Sequence, residues 1–169
     1  MDQKSILITG AASGIGRETA LLFAKNGWYV GAFDVNEEGL KTLEAEIGQA
    51  NCFIDRMDVT DPESVKSGID AFSGKTGGSL DVLLNNAGIL KFARLEDADL
   101  EVSHKIVDVN LKGCLSCIYY ALKYLKKTPG ARIINLSSAS AIYGVPELAV
   151  YSATKHAVSA VTEALAIEL

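Results

Sequence analysis

The sequence predicts a doubly wound α/β fold, in which helices cover both faces of one parallel sheet. Short apolar runs alternate along the chain with longer segments whose apolar residues recur at helical spacing. The short runs are apolar on both faces instead of alternating, which is typical of strands buried within a parallel sheet. Strands that alternate with helices build such sheets through right-handed crossovers. We therefore expect a single three-layer α/β/α domain over residues 1–169.

Strands and helices are expected to follow one another in turn. The predicted strands are five apolar runs, at 4–9, 28–33, 52–57, 80–84 and 131–137. The predicted helices are 15–26, 37–48, one that begins after Asp61-Pro62, a long one over about 99–126, and one from about 150 to the end. Asp61 followed by Pro62 is typical of a helix start, and Gly48 is typical of the position just past a helix end.

Charge and composition exclude several classes of function. The chain has 16 Lys and Arg residues against 21 Asp and Glu residues, a net charge of −5, with no run of like charges. It therefore lacks the basic stripe that binds nucleic acid. The apolar part of the opening MDQKSILITG is too short for a signal peptide or a membrane span. We expect a cytoplasmic protein with no nucleic-acid or membrane partner.

The cysteines and histidines do not form a metal-binding pattern. Three cysteines, Cys52, Cys114 and Cys117, in a chain without a secretory signal are typical of the reducing cytosol. Cys114 and Cys117 form a CxxC within a helix-periodic region, and His104 and His156 do not stand at zinc-finger spacing. We expect small packing residues here and no metal.

The first strand runs into a glycine-rich loop, TGAASGIG, whose spacing is a variant of the dinucleotide-binding fingerprint. Glycines allow a tight turn and let backbone amides approach a pyrophosphate closely. The helix that follows presents unpaired N–H groups and a positive dipole end to the same anion. We expect a cofactor to contact Gly10, Ser13, Gly14, Ile15 and Gly16; the alternative is a plain strand-to-helix turn.

Asp34 ends the second strand, eighteen residues after Gly16. An acid at this position accepts hydrogen bonds from ribose hydroxyls and repels a 2′-phosphate. The next residues, Val35 and Asn36, are not basic, and Arg17, the only nearby cation, falls within the first helix. We therefore predict NAD rather than NADP. The alternative for Asp34 is a solvated or helix-capping residue.

Two more strand ends carry residues suited to the same ligand. Asp58 and Val59 end the third strand, where a carboxylate and a backbone amide could meet an adenine; the alternative for Asp58 is a helix cap. The fourth strand ends in NNAG, and we expect Asn86, Ala87 and Gly88 to lie beside the cofactor ribose, unless they form only an Asn/Gly turn. Ligands of such sheets bind at the carboxyl ends of the strands, which favours a site here.

The most informative motif is YSATK, which places Tyr151 and Lys155 one helical turn apart. A phenol held beside an ammonium group loses its proton more readily than a free phenol, which would make Tyr151 a general acid and base near neutral pH. Ser138, thirteen residues earlier, could hold a substrate oxygen beside the phenol. Tyr119 and Lys123 have the same spacing without such a serine, and we interpret them as a packed tyrosine with a solvated lysine.

Together these motifs resemble the short-chain dehydrogenases/reductases. The motifs that occur in the order typical of the family are TGAASGIG, Asp34, DV at 58–59, NNAG at 85–88, VNLKG at 109–113, and Ser138 with YSATK. The resemblance implies a Rossmann fold with the strand order 3-2-1-4-5, a nicotinamide cofactor and a small alcohol or ketone as substrate.

The resemblance also implies the roles of four catalytic residues. Tyr151 matches the acid/base, and Lys155 matches the lysine that assists it and binds the nicotinamide ribose; both are expected to contact the cofactor. Ser138 matches the serine that binds the substrate oxygen. Asn110 matches the asparagine that supports a proton-relay water, and its alternative is an ordinary surface residue.

Members of the family usually continue beyond the helix that carries the tyrosine and lysine, with two further strands and a substrate-binding segment. The sequence stops at EALAIEL, so we expect a fragment or the ordered part of a longer chain. The last helix is apolar on nearly all sides, and such helices are normally buried on all sides. One face can meet the sheet and the other needs a partner. Members of the family commonly associate through this helix and the long one before it, so the resemblance implies a homodimer or homotetramer formed through the helices at about 99–126 and 150–169.

We predict an oxidoreductase that transfers a hydride between NAD and a secondary alcohol or ketone. One alternative is a module that binds NAD without turnover, or an inactive truncated relative. Another is an NADP-dependent 3-oxoacyl-thioester reductase, which Asp34 disfavours. The segments 89–95 and 139–148, including Tyr143 and Val145, are the expected lining of a partly apolar substrate pocket.

Overall fold

Five parallel strands form the central sheet of the computed structural model, which describes residues 3–169. Residues 1 and 2 of the opening segment lie outside the described part. The strands are β1 Ser5–Thr9, β2 Tyr29–Asp34, β3 Cys52–Arg56, β4 Val82–Asn85 and β5 Arg132–Asn135. They lie in the order β3-β2-β1-β4-β5, and every neighbouring pair is parallel. The predicted sheet and its strand order are confirmed.

One or two helices follow each strand along the chain. They are α1 Gly14–Lys25, α2 Glu37–Ile47, α3 Pro62–Lys75, α4 Leu100–Val107, α5 Cys114–Leu125 and α6 Ala149–Glu168. The long helix predicted over 99–126 consists of α4, a π-helical segment at Asp108–Gly113, and α5. A π-helical turn inside a helix frequently marks a functional site. Within residues 3–169, no helix is both long and apolar enough to cross a membrane.

The central strand β1 divides its side chains between two hydrophobic cores. Ile6 and Ile8 belong to one core and Leu7 to the other, because successive strand side chains point to opposite faces. The first core includes residues of α1 and α2, namely Ala20, Leu40 and Leu43. The second includes residues of α3 and α5, namely Ile69, Phe72, Ile118 and Ala121. Helices therefore cover both faces of the sheet, as the apolar strands predicted.

β5 has no buried residue, in contrast with the other four strands. It forms one edge of the sheet, and Ile134 within it is 46% exposed. The end of α6 is similar, since Val158 is buried but Ile167 is 89% exposed. Val161 and Leu165 in the second half still pack against the core, so the exposed apolar surface of α6 is greatest at its end.

Two helix boundaries follow the residues that predicted them. Asp61 accepts a hydrogen bond from the backbone N of Glu63 at 3.0 Å and caps α3. Gly48 ends α2 with φ of 88°, a conformation that favours glycine. Asn36 caps the start of α2 by accepting from Gly39 N at 3.0 Å, which the sequence pattern had not indicated.

Candidate active site

The carboxyl ends of β1 to β4 meet at a cavity of about 630 Å³, hereafter the larger cavity. Because the strands are parallel, the loops that follow them lie at one edge of the sheet. The predicted cofactor residues that line it are Gly10, Ser13, Ile15, Asp34, Asp58, Val59, Asn86, Ala87 and Gly88. Gly14 and Gly16 belong to the same loop, at the start of α1. Four separate sequence motifs therefore converge on one space.

The glycine-rich loop needs its glycines for two different reasons. Gly10 and Gly14 have φ of 68° and 53°, in the left-handed region that favours glycine. Gly16 instead lacks room, because a Cβ there would overlap the Gly10 carbonyl oxygen and lie 2.5 Å from Asn86 Nδ2. The Ser13 side chain makes no hydrogen bond to the start of α1. The loop is thus shaped to bring backbone N–H groups close to an anion, which fits a pyrophosphate.

A hydrogen-bonded link between β1 and β4 holds this loop in position. Asn86 Nδ2 donates to the carbonyl oxygens of Thr9 and Gly10, each at 3.0 Å. The Thr9 hydroxyl accepts from the backbone N of Asn86 and of Ala87, each at 3.2 Å. Thr9 is buried and was missed by the sequence analysis, although it directly precedes the first glycine. The NNAG segment is therefore more than a turn, because it fixes the glycine loop.

Asp34 has both carboxylate oxygens held by backbone amides. Oδ2 accepts from Ala12 N at 3.0 Å, and Oδ1 accepts from Asn36 N at 2.9 Å. The first bond joins the glycine loop to β2, and the second closes the turn that leads into α2. The cap of α2 is Asn36, so the helix-capping alternative for Asp34 is wrong.

Asp58 and Val59 follow β3 and lie close to the π-helical segment. Asp58 Oδ1 accepts from the Thr60 hydroxyl at 2.7 Å and from Thr60 N at 3.0 Å, and these bonds lower the pKa of the Asp58 carboxyl group. The cap of α3 is Asp61, so the helix-capping alternative for Asp58 is wrong. A Cβ on Gly113 would lie 2.7 Å from Val59 Cγ2, so the glycine allows the close approach.

Arg56 is a residue of the larger cavity that the motifs did not indicate. It ends β3, opposite Asp34 in the β2–β3 pairing, and its Nε lies 4.0 Å from Glu37 Oε1. Arg17, which the sequence singled out, pairs with Glu46 instead. The expectation that Arg17 is the only nearby cation is wrong, because strand pairing brings Arg56 beside Asp34 across 22 positions of sequence.

Lys155 is buried near the start of α6, with only 5% of its surface exposed. Its Nζ donates to the Leu136 carbonyl oxygen at 2.6 Å and lies 5.6 Å from the centroid of the Tyr151 ring. Burial lowers the pKa of Lys155, and the neighbouring Cys114 thiol acts in the opposite direction. The structure therefore brings the predicted phenol and ammonium group together on one side of α6.

The second pair with this spacing has a different environment. Tyr119 is 72% exposed, and Lys123 Nζ lies 2.8 Å from Asp70 Oδ1. The interpretation as a packed tyrosine is therefore wrong, whereas the lysine is solvated as predicted, with 52% of its side chain exposed. This tyrosine faces solvent from α5, and the lysine is ion-paired with α3.

Asn110 is buried in the π-helical segment and links the loop after β4 to α6. Its Oδ1 accepts from Ile89 N at 2.8 Å, and its Nδ2 donates to Ile89 O at 2.9 Å and to the Thr154 hydroxyl at 3.3 Å. Only 2% of its surface is exposed, so the alternative of a surface residue is wrong. A Cβ on Gly88 would lie 3.4 Å from Asn110 Oδ1 and 3.6 Å from Lys155 Nζ, which shows how closely these groups converge.

Ser138 is half-buried in the loop that follows β5. Its Oγ accepts from Ser140 N at 3.2 Å and starts a short 3₁₀ turn at Ala139–Ala141. The preceding Ser137 hydroxyl donates to the Lys155 carbonyl oxygen at 3.1 Å. This bond, together with the Lys155–Leu136 bond, attaches the serine loop to the helix that carries Tyr151. Ser137 was missed by the sequence analysis.

A smaller cavity of about 180 Å³ lies beside Tyr151. Its lining includes Lys91, Ala93, Leu95, Ile106, Leu148 and Tyr151. Glu147, also in the lining, has φ of 64°, and its carbonyl oxygen accepts from Ala93 N at 2.9 Å. Both segments expected to line a substrate pocket thus contribute, although Tyr143 is 62% exposed and is not part of the lining.

The cysteines are free thiols held mainly by packing. Burial raises the pKa of Cys52 and of Cys114 to about 11, and it raises the pKa of Cys117 further. Within residues 3–169, no three His, Cys, Asp or Glu side chains are grouped so that they could hold a metal ion.

The sequence model of the short chain dehydrogenase family matches residues 4–169. The chain belongs to this family. It is 38% identical to an uncharacterized oxidoreductase of Thermotoga maritima over 169 residues, which cover 98% of this chain and 65% of the relative. It is also 38% identical to a 3-oxoacyl-acyl-carrier-protein reductase of the same organism, with coverage of 100% and 69%.

A solved structure has the same fold over nearly the whole chain. A short-chain dehydrogenase/reductase from Burkholderia phymatum, in complex with NAD, has a TM-score of 0.94 and 29% identity. The alignment covers 99% of this chain and 60% of that one. This short-chain dehydrogenase therefore spans about two thirds of the length of the relatives it matches. The predicted family and Rossmann fold are confirmed.

Proposed function

We propose that this short-chain dehydrogenase transfers a hydride between NAD and a secondary alcohol or ketone, with Tyr151 as the acid/base. The observation that carries the proposal is the buried Lys155 ammonium group, 5.6 Å from the centroid of the Tyr151 ring and close to the larger cavity. Burying a charge costs free energy, and such perturbed groups cluster at functional sites. The contrast with the exposed Tyr119 supports the assignment of the acid/base to Tyr151.

The residues of the larger cavity support NAD as the cofactor. The loop with Gly10, Ser13, Gly14, Ile15 and Gly16 would hold a pyrophosphate. The solved Burkholderia phymatum relative was crystallised in complex with NAD, which adds support from outside this chain. Bound NAD would supply the hydride acceptor for alcohol oxidation.

Three strand ends would hold the rest of the dinucleotide. Asp34 would accept hydrogen bonds from the adenosine ribose, since each carboxylate oxygen has a further lone pair beyond its backbone hydrogen bond. Asp58 and Val59 would lie at the adenine. The segment Asn86-Ala87-Gly88 would lie beside the second ribose, which the Lys155 ammonium group would also contact.

The remaining residues divide the proton chemistry. The Tyr151 oxygen would take the hydroxyl proton of the alcohol and return it in ketone reduction. The positive charge of Lys155 would stabilise the phenolate in a site of low dielectric constant. Ser138 would hold the reacting oxygen in position. The Asn110 amide already forms hydrogen bonds to Ile89 and Thr154. It would therefore support a relay water indirectly, by holding the loop after β4 in shape.

The smaller cavity beside Tyr151 supports a substrate that is apolar around its reacting carbon. Ala93, Leu95, Ile106 and Leu148 supply apolar lining, while Lys91, Asp97, Asp99 and Glu147 contribute charge. We further propose one domain over residues 1–169, a cytoplasmic location, and a homodimer or homotetramer formed through α4, α5 and α6. The exposed Leu115 and Ile167 support contacts made by those helices.

A second candidate is an NADP-dependent reductase of 3-oxoacyl thioesters. The 38% identity to the reductase of Thermotoga maritima favours it, while Asp34 opposes it because a carboxylate repels a 2′-phosphate. A module that binds NAD without turnover is a third candidate. The presence of Ser138 and Tyr151 together with a buried Lys155 argues against this module, because binding alone does not need an acid/base.

Tyr151→Phe tests the assignment of the acid/base, and binding of NAD and of NADP to the wild type separates the cofactor candidates. It should lower turnover by about 10²–10⁴-fold, the usual contribution of a positioned acid/base, and leave the Kd for NAD nearly unchanged. The matched control is Tyr119→Phe, which changes an exposed tyrosine that also precedes a lysine by one helical turn. Turnover is measured by the absorbance of reduced nicotinamide over a panel of alcohols and ketones, and binding is measured by calorimetry.

Three results would count against the leading proposal. Equal turnover in wild type and Tyr151→Phe contradicts the assignment of Tyr151. NAD binding by the wild type without turnover of any panel member favours the binding module, and tighter binding of NADP than of NAD favours the thioester reductase.

A further inference from the structure

Arg56 is a cation at the larger cavity to which the proposed chemistry gives no role. It pairs with Asp34 across β2 and β3, so the two side chains leave the same face of the sheet. The Arg56 side chain is 52% exposed, and its Nε lies 4.0 Å from Glu37 Oε1. Glu37 is the first residue of α2. The guanidinium group therefore reaches across the end of β2 toward the turn at residues 34–37.

The turn at residues 34–37 already holds a carboxylate next to Arg56. Asp34 Oδ1 accepts from Asn36 N at 2.9 Å, and Asp34 Oδ2 accepts from Ala12 N at 3.0 Å. A carboxylate and a phosphate are recognised by the same donors, namely backbone N–H groups and guanidinium groups. The turn thus has donors for an anion, and the side chain of Asp34 occupies them.

We propose that Arg56 is the residue on which NADP binding by this protein depends, and that Asp34 and Glu37 oppose it and thereby favour NAD. Arg56 would form hydrogen bonds to the 2′-phosphate at the turn. The inference rests on the proposed function, because it requires a nicotinamide dinucleotide in the larger cavity.

Other cations close to the cavity are less suited to this role. Arg17 is held by Glu46, in a bond that joins α1 to α2. Lys105 lines the cavity from α4 and, like Arg56, lowers the pKa of Asp58, but it is not paired with Asp34 in the sheet. Arg56 is the cation that strand pairing places directly beside Asp34.

The charges around the turn explain a preference for NAD in the presence of Arg56. Two carboxylates at the turn, from Asp34 and Glu37, oppose one guanidinium group, which also interacts with the Asp58 carboxylate, so a 2′-phosphate meets net repulsion. Removing Asp34 would leave its backbone donors free for the phosphate, and removing Glu37 would release Arg56 from its neighbouring carboxylate. Arg56 could then bind the phosphate through two parallel hydrogen bonds, which arginine does better than lysine. The selectivity of the site would therefore depend on a balance between three side chains, of which the fingerprint contains only one.

The experiment measures the Kd values of two pairs of probes by calorimetry. One pair is NAD and NADP, and the other is 5′-AMP and adenosine 2′,5′-bisphosphate, which isolates the adenosine end and requires no turnover. The variants are Arg56→Gln, Glu37→Gln, Asp34→Ser, and the double variant Asp34→Ser with Arg56→Gln. The control is Lys66→Gln, since Lys66 is another exposed cation near a glutamate, 3.9 Å from Glu63 on α3.

Asp34→Ser should tighten binding of the 2′-phosphorylated probes by about 10–100-fold, the range for a charge-assisted hydrogen bond, and Arg56→Gln should remove most of that gain. Glu37→Gln should tighten the same probes by about threefold, because one exposed charge is weakly coupled. NAD and 5′-AMP should change by less than about twofold in Arg56→Gln and Lys66→Gln. Raising the salt concentration should shrink the effect of Arg56, since the charges are exposed.

Two negative results would have different meanings. If wild type binds NAD, and Asp34→Ser gains the same affinity for NADP with and without Arg56, this inference is overturned while the proposed function stands. If wild type binds neither NAD nor 5′-AMP, the proposed cofactor site is overturned, and this inference fails with it. Glu37→Gln and Arg56→Gln leave the hydrogen bonds of Asp34 intact, so the comparison survives even if Asp34→Ser folds poorly.

Discussion

Replacing Gly16 with alanine would test how closely the glycine loop must lie against β4. A new methyl group would overlap the Gly10 carbonyl oxygen and lie 2.5 Å from Asn86 Nδ2. The first atom belongs to the backbone. The second is held by hydrogen bonds of 3.0 Å to Thr9 O and Gly10 O, so neither can move without cost. The substitution should therefore destabilise the protein although alanine favours helix formation.

The magnitude follows from three contributions. Inserting a methyl group into a packed site costs about 1–3 kcal/mol, and overlap with a backbone atom places this case at the upper end. Weakening the two Asn86 hydrogen bonds costs about 0.5–1.5 kcal/mol each. Replacing glycine by alanine inside a helix returns about 1 kcal/mol. The free energy of unfolding of Gly16→Ala should therefore be about 3–5 kcal/mol below that of wild type.

Urea unfolding, followed by circular dichroism, measures this difference. Gly74→Ala in α3 is the matched control, because a Cβ there has no atom within 4 Å. It should gain up to about 1 kcal/mol from helix propensity alone. Equal stabilisation of the two variants would refute the argument, since it would mean that the loop and β4 are not in close contact. Binding of NAD should also weaken in Gly16→Ala and not in Gly74→Ala.

Two further predictions concern buried and paired polar groups. Asn110→Ala should lower the free energy of unfolding, measured by urea titration, by about 2–3 kcal/mol. The reason is that it removes three hydrogen bonds and leaves the backbone of Ile89 unpaired. A loss below about 0.5 kcal/mol would show that water replaces those bonds. Asp70 accepts from Lys123 and Tyr124, both at 2.8 Å, and these bonds, Lys123 first, hold the pKa of its carboxyl group below 3.8. Asp70→Asn should cost about 0.5 kcal/mol at neutral pH, reduced by solvent screening, and the difference should disappear as the pH falls through the lowered pKa and wild-type Asp70 is protonated. A difference that persists in acid would contradict the ion-pair explanation.

The strand ends were predictable because each motif is local in sequence. Apolar runs located the five strands, and a parallel sheet places their carboxyl ends at one edge. The glycine loop, Asp34, Asp58 and NNAG could therefore be assigned to a common cavity from the order of the motifs along the chain. The long helix was also predicted, but its π-helical segment was not, because one extra residue per turn leaves little trace in apolar periodicity.

The missed residues act between segments that are distant in sequence. Thr9 contributes through the backbone of Asn86 and Ala87, and Ser137 contributes through the Lys155 carbonyl oxygen. A hydroxyl group that forms hydrogen bonds to a distant backbone segment leaves no motif in the sequence around it. Tyr119 and Lys123 illustrate the converse, because an identical spacing turned out to lie on an exposed helix surface.

The sequence by itself determined the family, and with it the fold and the strand order of the sheet. Those properties rest on short motifs and on periodicity, which are properties of neighbouring residues. Only the tertiary structure decided which charges meet at the cavity. Strand pairing brings Arg56 beside Asp34. Helix packing buries Lys155 against Leu136, whereas Lys123 stays exposed to solvent and pairs with Asp70. Burial and charge proximity depend on contacts across the sheet, so they follow from how the chain folds and not from spacing along it.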